Sequence, residues 1–186
     1  MPEWGVLDGR FPTGAKLLEP NGFLGAGPVE IAMTSNRSFL LVCLGNICRS
    51  PLAEAALRDA AARAGLDIIV DSAGTGAWHV GNPPDPRSQA VALAHGIDIA
   101  GYRARQVVAA DYRRFTDILA LDRDNLAELR RRAPKDSTAR IGLLMDVVPG
   151  RAGQAVADPY YGDAAGFAVT WADVSAAAEA IVAGLR

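Results

Sequence analysis

The chain has 186 residues, half of them apolar, which is enough for one well-buried domain and short for two. Its formal net charge of −2 supplies no basic footprint, arguing against nucleic acid or an anionic membrane surface as partner. Two cysteines five positions apart make a poor disulfide framework and point to a reducing compartment, with the cytoplasm as the default.

Residues 1–36 are punctuated by Gly5, Gly9, Pro12, Gly14, Pro20, Gly22, Gly25, Gly27 and Pro28 and keep no helical or strand period, so they are read as a loosely ordered extension. Met33 offers a second possible start, and an interaction arm docking on the domain is the sharper alternative. No basic-then-apolar signal stands at the N-terminus, and no apolar run approaches a membrane span. The domain is expected over 37–186.

From residue 37 strands alternate with helices. Ser38 to Val42 is a continuous apolar strand, and Pro51 to Ala64 a helix with Leu52, Ala56, Ala60 and Ala64 on one stripe, stopped by Gly65. A second strand is predicted over Asp67 to Asp71, around Ile68, Ile69 and Val70, and a helix over Arg87 to His95 ending at Gly96. Asp117 to Leu121 is a third strand, Arg123 to Arg132 a helix stopped before Pro134, and Ala139 to Leu144 a fourth strand. Phe167, Trp171, Val174, Ala178 and Ile181 fall at helical spacing in a closing helix over Gly166 to Leu185. This alternation predicts an α/β fold: an open, mostly parallel four-stranded sheet with helices on both faces.

The chemistry concentrates between the first strand and first helix, in Val42-Cys43-Leu44-Gly45-Asn46-Ile47-Cys48-Arg49-Ser50-Pro51. Five residues separate Cys43 from Arg49, enough for backbone N–H groups to curl around a tetrahedral dianion. Gly45 offers positive φ, Asn46 tolerates the left-handed region, and Ser50 followed by Pro51 reads as a helix cap and first turn. Inward amides, a helix N-terminus and Arg49 all favour a charged sulfur at Cys43, which beside a phosphate pocket is a nucleophile. Ester cleavage also needs an acid for the departing oxygen. Asp158 in Asp158-Pro159-Tyr160-Tyr161-Gly162 is the candidate, its two tyrosines forming an aromatic wall, although Asp-Pro is also ordinary turn chemistry. His79 and His95 are not spaced as a metal pair and are read as surface or packing residues.

With these motifs in this order, the chain from Ser38 to its end resembles the low-molecular-weight protein tyrosine phosphatases. Their cysteine signature stands at Val42 to Pro51 and their Asp-Pro-Tyr-Tyr motif at Asp158 to Tyr161. Further matches are Asp71-Ser72-Ala73-Gly74-Thr75, Trp78, Asp85-Pro86-Arg87 and Arg103-Ala104-Arg105-Gln106. The resemblance implies a flavodoxin-like fold of the phosphotyrosine phosphatase I type. It makes Cys43 the nucleophile, Arg49 the transition-state clamp and Asp158 the acid and then the base. Leu44, Gly45, Asn46, Ile47, Cys48 and Ser50 become the phosphate-binding loop, with Ser50 stabilising the thiolate and Asn46 holding the loop shape. Trp78 and Tyr160 would flank the substrate ring beside Tyr161. Cys48 is either a small loop residue or a redox partner of Cys43. The implied substrate is phosphotyrosine in proteins, a bacterial tyrosine kinase among the partners, with no metal or cofactor. An arsenate reductase on the same fold, a phosphoarginine phosphatase and a non-catalytic phosphate binder are the alternatives. Against the reductase stands the lack of any cysteine beyond Cys43 and Cys48 for a thiol relay.

Overall fold

The computed structural model describes residues 37–186; the readings made for 1–36, including the second start at Met33, lie outside the described residues. The elements run β1 (Ser38–Cys43), α1 (Arg49–Arg63), β2 (Ile69–Gly74), α2 (Pro86–Ala94), α3 (Asp111–Arg114), β3 (Asp117–Ala120), α4 (Arg123–Arg132), β4 (Arg140–Leu143), a 3₁₀ turn (Leu144–Val147) and α5 (Ala164–Ala183). Strand order is β2-β1-β3-β4 and every pairing is parallel. The predicted architecture therefore stands, with α3 and the 3₁₀ turn as additions.

The pleat of β1 divides the interior in two. Phe39, Leu41 and Cys43 face a cluster containing Leu52 and Leu57 of α1, Ala92 of α2, and Phe167, Val174 and Ile181 of α5. Leu40 and Val42 face the opposite layer, where Tyr112 of α3, Phe115 and Leu129 of α4 pack against Ile118 of β3. Both faces of the sheet are covered, as buried parallel strands require. The carboxyl ends of β1 and β3 open onto the two loops that matter below, at the crevice where sheets of this kind place ligands.

Most element ends fall within one or two residues of the predicted ones, and two of the shifts have identifiable reasons. β2 runs two residues later at its start and three at its end, because its ladder follows β1 as far as the Cys43–Gly74 pair. The apolar triplet Ile68-Ile69-Val70 marks only its entry. Helix α1 begins at Arg49, with Cys48 at its cap and no side-chain cap hydrogen bond, so Ser50 and Pro51 lie inside the first turn. α5 is 20 residues long, with a stretch of mean hydropathy 1.3, and so is long and apolar enough by composition to cross a membrane, contrary to the sequence reading. Its Phe167, Val174, Ala177, Ala178 and Ile181 are buried in the domain core instead.

Ile118 is fully buried at the middle of the face remote from Cys43. Ile118→Ala is expected to destabilise the protein by about 2–5 kcal/mol, seen as a lower urea midpoint at unchanged m-value.

Candidate active site

The segment Leu44–Cys48 leaves β1 and turns directly into α1. Its bend is made by Asn46, the one non-glycine residue with positive φ among the described residues, at 54°. Gly45, expected to supply that conformation, does not. Its lack of a side chain serves a close approach, since a Cβ there would lie 3.0 Å from Cδ2 of His79. A Cβ on Gly76 would lie 1.9 Å from the ring of Trp78, so this glycine seats the tryptophan at the cleft.

Asn46 holds the loop from beneath. Its Nδ2 donates to Ser50 Oγ and Ser72 Oγ, each at 2.9 Å, and its Oδ1 accepts from Arg105 N at 2.9 Å. Ser72 Oγ donates onward to Glu54 Oε2 at 2.7 Å. Burial pushes the Glu54 carboxyl above its ordinary range, against the pull of Ser72 and Arg58. Arg105 is clamped by Asp71 and Asp111, both at 2.9 Å, and Gln106 Nε2 donates to Thr75 O at 3.0 Å. The family-matching stretches at 71–75 and 103–106 thus meet beneath one asparagine.

Above this support sits the sulfur of Cys43. It accepts from Asn46 N at 3.3 Å and lies 3.0 Å from Ser50 Oγ. The serine hydroxyl, expected to cap the helix, is therefore turned toward the thiol. Arg49 is 3% exposed and spreads its guanidinium across the loop's open side. Nη1 donates to Asp122 Oδ2 at 2.6 Å and to Val156 O at 3.1 Å, and Nη2 donates to Asp158 Oδ2 at 2.6 Å. Burial alone would lower its pKa, but Cys43, Asp158 and Asp122 outweigh that and raise it, so Arg49 is a fixed cation.

Residues 158–162 form a turn, and the same segment brings the Asp158 carboxylate to Arg49. Gly162 N donates to Pro159 O at 2.9 Å, and Asp158 Oδ1 accepts from Tyr160 N at 3.1 Å, which leaves Oδ2 for Arg49. Cys43, Leu44, Gly45, Ile47, Cys48, Arg49, Trp78, Asp158, Tyr160 and Tyr161 line one cleft of about 250 Å³. Asn46 and Ser50 lie under its floor rather than in its lining. Tyr161 is 98% exposed and meets Tyr160 edge-on, with centroids 4.9 Å apart.

Two residues of the site escaped the sequence reading. His79, taken as a surface or packing residue, lines the cleft over Gly45, while His95 stacks on Trp171 elsewhere. Asp122 caps α4 through Oδ1, accepting from Asn125 N at 2.7 Å, and holds Arg49 with its other oxygen. A capping aspartate was legible at the start of that helix, but its second partner is 73 positions away.

Cys43 and Cys48 are both free and buried. Burial, then Asp85 and Cys43, push the Cys48 thiol up to about 12, so Cys48 stays a protonated thiol at neutral pH. Iodoacetate is accordingly expected to leave Cys48 unmodified up to about pH 9, read by peptide mass spectrometry; carboxymethylation there in folded protein would contradict this.

Residues 38–186 match the family profile described as low molecular weight phosphotyrosine protein phosphatase. A protein of that name from Schizosaccharomyces pombe is 44% identical over 138 residues, 73% of this chain and 88% of the relative. The Bacillus subtilis low molecular weight protein-tyrosine-phosphatase YfkJ is 48% identical over 126 residues, 67% of this chain and 81% of its own. The YfkJ crystal structure superimposes with a TM-score of 0.75 at 41% identity, covering 82% of this chain and 96% of that one. A Drosophila arginine phosphatase superimposes with the same TM-score at 32% identity, covering 80% and 97%.

Proposed function

The chain belongs to the low molecular weight phosphotyrosine protein phosphatase family, and on that premise we propose that Cys43, Arg49 and Asp158 carry out the hydrolysis of phosphotyrosine in proteins. The observation that carries these assignments is the buried Arg49, six residues beyond Cys43, holding at 2.6 Å the carboxylate of a residue 109 positions away.

The reaction runs in two displacements. In the first, Asp158 takes up a proton as the phosphate displaces it from Arg49; Cys43 sulfur then attacks phosphorus in line, a sulfur–phosphorus bond forms, the phosphorus–oxygen bond to the tyrosyl group breaks, and Asp158 gives that proton to the departing oxygen. Arg49 turns its Nη2 edge to the non-bridging oxygens while Asp122 and Val156 O keep the rest of the guanidinium in place. In the second, Asp158 takes a proton from water, the water oxygen attacks phosphorus, and Cys43 leaves as thiolate with inorganic phosphate released. Ser50 Oγ, 3.0 Å from the sulfur, stabilises the thiolate at both ends of the cycle.

Trp78 and Tyr160, 75% and 41% exposed beside the cleft, favour a flat aromatic group between them. The support for an aryl phosphate comes with the family, whose curated relatives carry phosphotyrosine or protein-tyrosine phosphatase names. A phosphotyrosine protein, with a bacterial tyrosine kinase among the candidates, is the proposed partner, and the cytoplasm the proposed compartment.

Cys43→Ser is expected to lower p-nitrophenyl phosphate turnover by at least about 10⁴-fold while still binding substrate; appreciable turnover would remove Cys43 from its role. Asp158→Ala is expected to cost about 10²-fold on phenyl phosphate and clearly less on p-nitrophenyl phosphate, whose leaving group needs no proton. An equal loss on both would speak against an acid at this position.

A further inference from the structure

We propose that Arg87 is a positioning residue for the acid Asp158, a strap that ties the acid-bearing loop to the phosphate-binding loop through the first turn of α2. The inference rests on the assignment of Asp158 above.

Arg87 stands in the Asp85-Pro86-Arg87 stretch, which opens α2 with Asp85 as its cap, accepting from Arg87 N at 2.8 Å. The arginine side chain folds back on the same carboxylate, its Nε 3.0 Å from Oδ1 and its Nη2 2.9 Å from Oδ2. Hydrogen bonding from Arg87 holds the Asp85 carboxyl below its ordinary range, so the pair stays ionised at neutral pH. Beneath it, the guanidinium carbon lies 4.5 Å from the ring centroid of Phe167, which is fully buried. A fork fixed on one edge by a carboxylate and on one face by an aromatic ring has little freedom left.

The outer edge of that fork reaches the loop after Asp158. Nη1 donates to Gly162 O at 2.8 Å and Nη2 to Tyr160 O at 3.0 Å. The loop has few other holds. Gly162 N bonds back to Pro159 O, Tyr160 N bonds to Asp158, and the Asp163 side chain caps α5. Among the described residues, the two bonds from Arg87 are the ones that join backbone groups of 159–163 to a distant part of the chain.

On its other side the same turn grips the phosphate-binding loop. Asp85 N donates to Ile47 O at 2.8 Å, and Ser88 Oγ donates to Cys48 O at 3.2 Å. Arg87 therefore sets the distance between a loop that binds phosphate and a loop that must deliver a proton to the ester oxygen. When the arriving phosphate takes Nη2 of Arg49, Asp158 loses that ion pair; Val156 N on Leu121 O and Thr170 Oγ1 on Ala157 O still hold the backbone before it, and Arg87 holds the backbone after it. General acid catalysis depends on reach before it depends on proton affinity. Looseness here should weaken proton delivery and leave phosphate binding alone.

The test compares Arg87→Ala, Arg87→Lys and Asp158→Ala with wild type, measuring kcat/KM on aryl phosphates of graded leaving-group basicity and the inhibition constant for inorganic phosphate. Arg87→Ala is expected to lose roughly tenfold on phenyl phosphate and under about twofold on p-nitrophenyl phosphate, so the dependence on leaving-group basicity steepens toward that of Asp158→Ala. The phosphate inhibition constant is expected to stay within about twofold. Arg87→Lys, which keeps the charge and lacks the fork, should fall between, and it reads the same slope if the alanine variant does not fold. An unaltered slope in the Arg87 variants beside a steepened one in Asp158→Ala overturns the strap alone. An unaltered slope in Asp158→Ala overturns the acid assignment and the strap with it.

Discussion

The site is organised around one buried cation. Arg49 is almost fully removed from water, and a guanidinium so placed must find its partners inside the protein or not fold at all. It finds them on two separate stretches: Asp122 after β3, and the segment that carries both the Val156 carbonyl and Asp158. Val156 N is in turn bound to Leu121 O, and Leu121 N to Val42 O. The end of β1, the end of β3 and the segment leading to α5 are thereby drawn to one point, and that point is the mouth of the loop that carries Cys43. Asp122 and Asp158 each compensate that charge, so one carboxylate stays on the guanidinium when the other is drawn away.

Beneath the cation the loop is held in shape by side chains, together with backbone bonds from Gly76 to Leu44 and from Asp85 to Ile47. Asn46 occupies a backbone conformation that few residues tolerate, and its amide meets Ser50, Ser72 and the backbone of Arg105. The chain of contacts runs on through Ser72 to Glu54, which Arg58 grips at 2.9 Å, while Arg58 also reaches the Val70 carbonyl of β2. The sulfur thus sits over a polar layer that is nearly dry and fully engaged. Such layers stiffen a site because every member has somewhere specific to point.

Much of this was legible in the sequence, and what was not has physical causes. Long periodic segments announced themselves: the stripe of α1, the stops at Gly65 and Gly96, the apolar runs of β1 and β3. Cys43, Arg49 and Asp158 stood in stretches whose composition suits phosphate chemistry. β2 drifted because its later residues, Asp71 to Gly74, are strand by pairing with β1 and not by apolarity. Ser50 looked like a cap because the cap rule weighs only local amides, whereas a sulfur seven positions back competes for the hydroxyl. α3 and the 3₁₀ turn span four residues each, too few for any period to show. Asp122 and His79 could be named as a cap and as a polar surface residue, but their partners come from chain segments that only the folded topology brings close.

The pairing of Asp158 with Arg49 changes what it means to occupy this cleft. On the role proposed for Arg49, an incoming oxyanion would find its strongest donor already engaged by a carboxylate of the same chain and would enter by exchange. Measured affinity for any phosphate mimic then reports the difference between two ion contacts, and ligands ranked by it are ranked by how well they outcompete a tethered rival that is always present at high local concentration.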